Sequence, residues 1–142
     1  MIHFFLMINK QGTTRIRKFY NEALARQQIE RDVFQTMVSR DKVLSNVCEV
    51  RDYTVVYHRY VGLYVAVGID PTDSELLAHE TIHLFVEILD RYFGTVRELD
   101  VIYHFHAVYA ILDEFILAGE VQETNKQMII QRIKQMPQLA AK

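Results

Sequence analysis

The sequence predicts a single α+β domain: a five-stranded, mainly antiparallel sheet with helices on its faces, in the order ββαβββααα. Three observations carry that expectation. Five short apolar or alternating segments are separated by turn residues, only one helical stretch interrupts them, and from Pro71 onward the hydrophobic period is helical throughout. A chain of 142 residues suits one domain, 1–142, and at that size buries roughly 70% of its unfolded surface. No internal repeat, low-complexity stretch or linker divides it.

Ile2 to Asn9 is a continuous apolar run bounded by Lys10-Gln11-Gly12, which suits a strand buried on both faces, with Gly12 supplying the positive φ of a tight turn. Thr13 to Tyr20 alternates and completes a hairpin as its wetter strand. Asn21 to Arg40 has helical spacing, with Leu24, Ile29, Val33, Phe34, Met37 and Val38 on one stripe. Leu44 to Val50, Tyr53 to Tyr60 and Leu63 to Ile69 are β-rich, with breaks at Asp52 and Gly62. Thr72 and Glu75 are spaced as a capping box before a helix that runs to about Phe93 and stops at Gly94. A long helix is expected from near Val96 to Gly119. A last one, after Thr124-Asn125, carries Met128, Ile129, Ile133 and Met136 and ends at Pro137.

Composition excludes several classes. A net charge of -2 gives no electrostatic case for nucleic acid or an anionic bilayer. Cys48 is the sole cysteine, so no internal disulfide forms, and it reads as a small buried hydrophobe in a reducing compartment. The apolar N-terminus lacks a basic leader and a small-residue cleavage site, so a strand and a cytosolic location are expected. There is no Gly-rich phosphate loop or nucleophile elbow, and no cofactor is implied.

The expected long helix has almost no polar face. Asp100, His104, His106, Asp113 and Glu114 interrupt every window near the ~20 residues of a membrane span. A helix apolar nearly all round needs cover on two sides, which points to a subunit whose second face meets another polypeptide.

Several ordered blocks point to a family: Met1-Ile2-His3-Phe4-Phe5-Leu6, Asn9-Lys10-Gln11-Gly12-Thr13-Thr14-Arg15, and Val56-Tyr57-His58-Arg59-Tyr60-Val61-Gly62-Leu63-Tyr64. They continue through Ile82-His83-Leu84-Phe85-Val86-Glu87-Ile88-Leu89-Asp90-Arg91-Tyr92-Phe93, Glu98-Leu99-Asp100, Leu112-Asp113-Glu114-Phe115 and Ala118-Gly119-Glu120-Val121-Gln122-Glu123-Thr124. With these blocks the chain resembles the small (sigma) subunits of clathrin-associated adaptor complexes. The opening block leans toward the trans-Golgi adaptor that works without clathrin, the closing one toward the clathrin-associated trans-Golgi and endocytic forms.

The resemblance implies a longin-like fold and no catalysis. It implies an obligate large adaptor subunit clamped on the long apolar helix, with a second large and a medium subunit in the complex. Such interfaces bury upward of about 2,000 Å². It also implies vesicle-mediated protein transport, with indirect membrane association on coated vesicles or pits at the trans-Golgi network, endosome or plasma membrane. The cargo implied is an acidic dileucine tail. By position, its pocket would be lined by Val61, Leu63, Val65, Val86, Val96, Leu99 and Val101, with Arg15 as the cation. Valines and leucines on strands and helices are ordinarily core, and Arg15 and Arg17 on an alternating strand are ordinarily solvated. The chain departs from the family pattern at Thr95, at His104 and at Arg97, where an extra cation either strengthens the acidic contact or disturbs the pocket. The alternative is a longin-fold subunit of another vesicle coat without cargo binding.

A competing motif is His79-Glu80-Thr81-Ile82-His83, an H-E-x-x-H on a helix, the pattern by which zinc hydrolases hold metal and activate water. The two imidazoles would lie roughly 40° apart on the polar shoulder of the Ala78, Ile82, Phe85 and Leu89 stripe. Glu98, Asp100, His104 and His106 are possible third ligands, but none stands in a recognised zinc-hydrolase context, and little chain remains to form a cleft. The motif is therefore read as a look-alike, with no metal.

Overall fold

The structure, a computed structural model, describes residues 1–21, 25–39, 46–60, 62–117, 120–121 and 126–134. Its middle layer is built from β1 (Ile2–Asn9), β2 (Thr14–Phe19), β3 (Val47–Val50), β4 (Tyr53–Tyr60) and β5 (Leu63–Ile69). They lie in the order β2-β1-β5-β4-β3, and each neighbouring pair runs antiparallel. β1 therefore lies inside the sheet between β2 and β5, and its apolar run needs cover on both faces. On one face Phe4, Leu6 and Ile8 pack with Ile29, Val33 and Met37 of α1 (Arg26–Ser39). On the other, Phe5 and Met7 join Ile82, Phe85 and Leu89 of α2 (Glu75–Phe93). A register shift between Ile2 and Phe4 in the β1–β5 ladder lets Ile2 share the Phe5 side. The same side is completed by α3 (Glu98–Tyr103), α4 (Phe105–Phe115) and α5 (Lys126–Lys134), through Val101, Ile111, Phe115, Ile129 and Ile133.

The expected five-stranded antiparallel sheet with helices on its faces is present, and several elements differ in detail. The long helix is two helices. At His104 the backbone turns to φ -124, ψ 38; its N–H closes α3 on the Asp100 carbonyl, and its carbonyl opens α4 by accepting from Ala107 and Val108. Helix also ends at Phe115 rather than Gly119, because β-branched Ile116 is extended. Residues Ile116–Leu117 (β6) pair with Glu120–Val121 (β7). α4 is one-sided, burying Ala107, Val108, Ile111, Leu112 and Phe115, so much of the expected second apolar face is absent. What remains exposed gathers at the bend: Leu99 at 54%, Tyr103 at 72% and Phe105 at 43%.

The capping residue of α2 is Ser74, not Thr72: its hydroxyl accepts the Leu77 N–H at 3.3 Å. α1 is described from Arg26, later than the expected start at Asn21, and Val38 is exposed because it lies off the Ile29, Val33, Met37 stripe. Leu24, Leu44, Gly119, Met136 and Pro137 lie outside the described residues. Cys48 is buried, as expected.

The outer strand β2 is tied down by side chains. The Tyr109 hydroxyl accepts from the Arg17 N–H at 3.0 Å and donates to the Arg17 carbonyl at 3.1 Å. Lys18 Nζ lies 3.1 Å from Asp113 Oδ1.

Gly68 stands opposite Phe4 in the ladder, and a Cβ there would fall inside the Phe4 ring. That ring also packs against Phe19 and Tyr53 at 5.8 and 6.0 Å between centroids, leaving it no room to retreat. Gly68→Ala is expected to destabilise the fold by about 1–3 kcal/mol, as overpacking does, read as a lower urea midpoint.

Candidate functional site

The tip of the first hairpin is organised by Asn9, a buried polar residue at the end of β1. Its Oδ1 accepts from the Gln11 and Thr13 N–H groups at 3.0 and 2.9 Å, and Gly12 completes the turn at φ +91. With its oxygen so committed, the amide nitrogen points away from the tip and donates to Glu98 Oε2 at 3.0 Å. Arg15, next along β2, donates from Nε to the same oxygen at 3.0 Å. The Glu98 carboxyl is held below its ordinary range chiefly by the Asn9 hydrogen bond and further by Arg15, against the opposing effect of burial. The result is an ionised carboxylate bridging the hairpin to the first turn of α3.

The apolar residues expected around a dileucine pocket are brought together only in part. Leu63, Val65, Val86 and Val101 share one buried cluster, and Val96 packs half-buried against it. Leu99 is exposed, and Val61 lies outside the described residues. The charged and apolar parts adjoin, because a Cβ at Gly62 would lie 3.9 Å from both Cβ and Oε1 of Glu98, and Gly62 leads directly into Leu63. Arg97 is exposed, with its Nε 3.9 Å from Asp100 Oδ2; Asp100 also accepts the Arg97 N–H at 2.9 Å. Val96 is oriented by its N–H, which donates to Asp90 Oδ1 at 2.9 Å.

Sequence reasoning missed the roles of Asn9 and Glu98. A cation on a half-buried strand asks for a carboxylate, but nothing local says that the partner is 83 residues away. A separate cavity of about 380 Å³, lined by Ile2, Ile69, Leu77, Leu84, Phe115 and Val121 among others, contains none of the expected pocket residues.

The H-E-x-x-H residues engage different partners. His79 Nδ1 lies 2.6 Å from His58 Nε2 across the α2–β4 contact, with the rings edge to face. His83 is mostly exposed and pairs with Glu87 at 2.7 Å, while Glu80 is exposed at the edge of the separate cavity. Among the described residues no group of three or more His, Cys, Asp or Glu is arranged to hold a metal. His104 stacks on Phe93 at 5.8 Å and His106 lies against Phe105.

Burial lowers the His58 pKa from 6.5, and His79 and then His83 lower it further. The unfolded chain therefore takes up this proton first as pH falls. The stability contributed by neutral His58 is complete above 6.5 and lost as pH drops through that value toward the folded one. Thermal midpoints measured from pH 7.5 down to 5.5 should fall more steeply for the wild type than for His58→Gln.

A profile of the clathrin adaptor complex small chain family matches residues 1–140. The AP-2 complex subunit sigma of Dictyostelium discoideum is 46% identical over 136 residues, covering 94% of this chain and 96% of that protein. The AP-1 complex subunit sigma-3 of Mus musculus is 43% identical, covering 94% and 88%. The AP-1 complex subunit sigma-1 of Arabidopsis thaliana is 45% identical, covering 98% and 88%. Among solved structures, a chain of the "Homology model of the full-length AP-3 complex in a stretched open conformation" superposes with a TM-score of 0.73 at 28% identity. It covers 99% of this chain and 96% of that one.

Proposed function

This chain belongs to the clathrin adaptor complex small-chain family, and we propose that it serves as the sigma subunit of a heterotetrameric adaptor in vesicle-mediated protein transport, reading acidic dileucine signals. The observation that carries this reading is a family match running from residue 1 to residue 140. The family is not an enzyme family, and the H-E-x-x-H histidines are engaged elsewhere.

In this reading Arg15 receives the acidic residue of the cargo tail through charge-assisted hydrogen bonds. The two leucines insert where Leu63, Val65, Val86 and Val101 converge, near the turn that Glu98 touches. Burying two leucines contributes roughly 3–6 kcal/mol before ordering costs, so the contact is weak and readily reversed. Because four of the lining residues are fully packed, insertion displaces the less buried Val96 and the exposed Leu99. Val61 is assigned to the same pocket by resemblance to the family, and Arg97, next to Glu98 in the sequence, to the acidic contact.

The exposed Tyr103 and Phe105 at the α3–α4 bend form the surface offered to a large adaptor subunit. No helix among the described residues is long and apolar enough to cross a membrane. Membrane association, whether at coated pits, endosomes or the trans-Golgi network, would come through the assembled complex from its cytoplasmic side.

Co-expression with candidate adaptor large subunits tests the assembly. Recovery of one adaptor's large chains at equal stoichiometry is expected; a monodisperse monomer with no partner would overturn the subunit reading. On the assembled complex, Arg15→Glu should weaken an acidic dileucine peptide by about tenfold or more in fluorescence anisotropy, since it replaces attraction by repulsion. Unchanged binding would favour a coat subunit without cargo recognition.

A further inference from the structure

We infer that Glu98 is a built-in competitor for the cargo acid, occupying Arg15 until an acidic signal displaces it; this rests on the assignment of Arg15 to cargo made above. Three features of the contact support an exchangeable latch rather than a fixed strut.

The first is that Glu98 does not depend on Arg15 for its place. Asn9 is buried, its oxygen accepts two backbone N–H groups of the hairpin tip, and its nitrogen is thereby aimed at Glu98 Oε2. Release of Arg15 leaves the carboxylate still hydrogen-bonded, so the release does not strand an ion. The Asn9 bond is also the largest cause of the lowered Glu98 pKa, which keeps the competitor charged throughout the neutral range with or without Arg15.

The second is exposure. Arg15 and Glu98 retain about a third and a quarter of their side-chain surface, and pairs this open exchange readily with solvent and with other ions. Arg15 carries five N–H donors on a planar fork, and the contact with Glu98 engages Nε. A cargo carboxylate can take the fork in bidentate geometry, a second bond that the contact with Glu98 does not make.

The third is location. Glu98 sits against Gly62, immediately before Leu63, so a carboxylate arriving at Arg15 approaches a like charge beside the apolar cluster. Glu98 thus tempers the attraction of Arg15 for any passing anion. Only a ligand that also fills the apolar site gains enough to break the latch. A dileucine peptide without the acid leaves Arg15 on Glu98 and is indifferent to it.

The test uses the assembled adaptor and two labelled peptides, an acidic dileucine peptide and its twin with alanine at the acidic position. Glu98→Gln keeps the shape and the Asn9 acceptor while removing the charge. It is expected to bind the acidic peptide about two- to fivefold tighter, the range typical of exposed ion pairs, with the alanine twin unchanged. In the Arg15→Ser background the same substitution should give no gain. Thermal midpoints confirm that each variant is folded, with Glu98→Ala as the second removal of charge. If Glu98→Gln weakens the acidic peptide or leaves it unchanged while Arg15→Ser lowers its affinity, the competitor fails and cargo recognition stands. An equal gain for both peptides would also overturn it, as a change of pocket shape. If Arg15→Ser affects neither peptide, the cargo assignment itself falls.

Discussion

The fold depends on burying β1 on both of its faces. Of the eight residues of β1 only His3 is less than buried, so both pleat faces must be covered, and the domain becomes three layers deep. Every other element answers that requirement: α1 roofs Phe4, Leu6 and Ile8, while the remaining helices take Phe5 and Met7. The demand is steric as well as apolar. Gly68 exists opposite Phe4 because the neighbouring strand must surrender its side chain to the ring. With about 25 cal/mol released per Å² of apolar surface, a strand buried on two faces is worth more than one of the same length on a wetted sheet.

The polar end of that strand is where the chemistry begins. Asn9 is the residue at which β1 leaves the core, and its amide spends one end on the hairpin and the other on α3. A short helix of six residues has little stability of its own, so its orientation is borrowed from the hairpin through Glu98 and from the core through Val101. Arg15 is therefore presented by the same device that orients α3. Charge, turn and apolar cluster are mechanically one unit, as the cargo pocket proposed above would require.

Much of this was legible in the residues. β1, β4 and β5 have the bounds their hydrophobic runs indicate, and α2 ends at Phe93 where Gly94 adopts φ +93. The α3–α4 break was not legible, because no Gly or Pro marks His104 and a single ψ decides it. Nor was the end of α4, since Ile116 and Leu117 continue a helical stripe while pairing as a strand. Ser74 and Thr72 are both fit to cap, and only the path of the turn chooses between them. At the site, Arg15 and the apolar positions came from resemblance to the family. Glu98 and Asn9 came from geometry, because a bridge across 83 and 89 positions leaves no trace in local spacing.

The hydroxyl of Tyr109 has a consequence for how this subunit meets other chains. It saturates both backbone groups of Arg17 on the outermost strand, donor and acceptor alike. A peptide laid alongside that strand finds no free ladder at its midpoint, and strand addition, the commonest way an extended tail joins a sheet, is blocked there. The opposite margin, β3, is only four residues long. A tail bound as proposed would then be held by its side chains, and its selection would rest on what those side chains are rather than on backbone pairing that any sequence could supply.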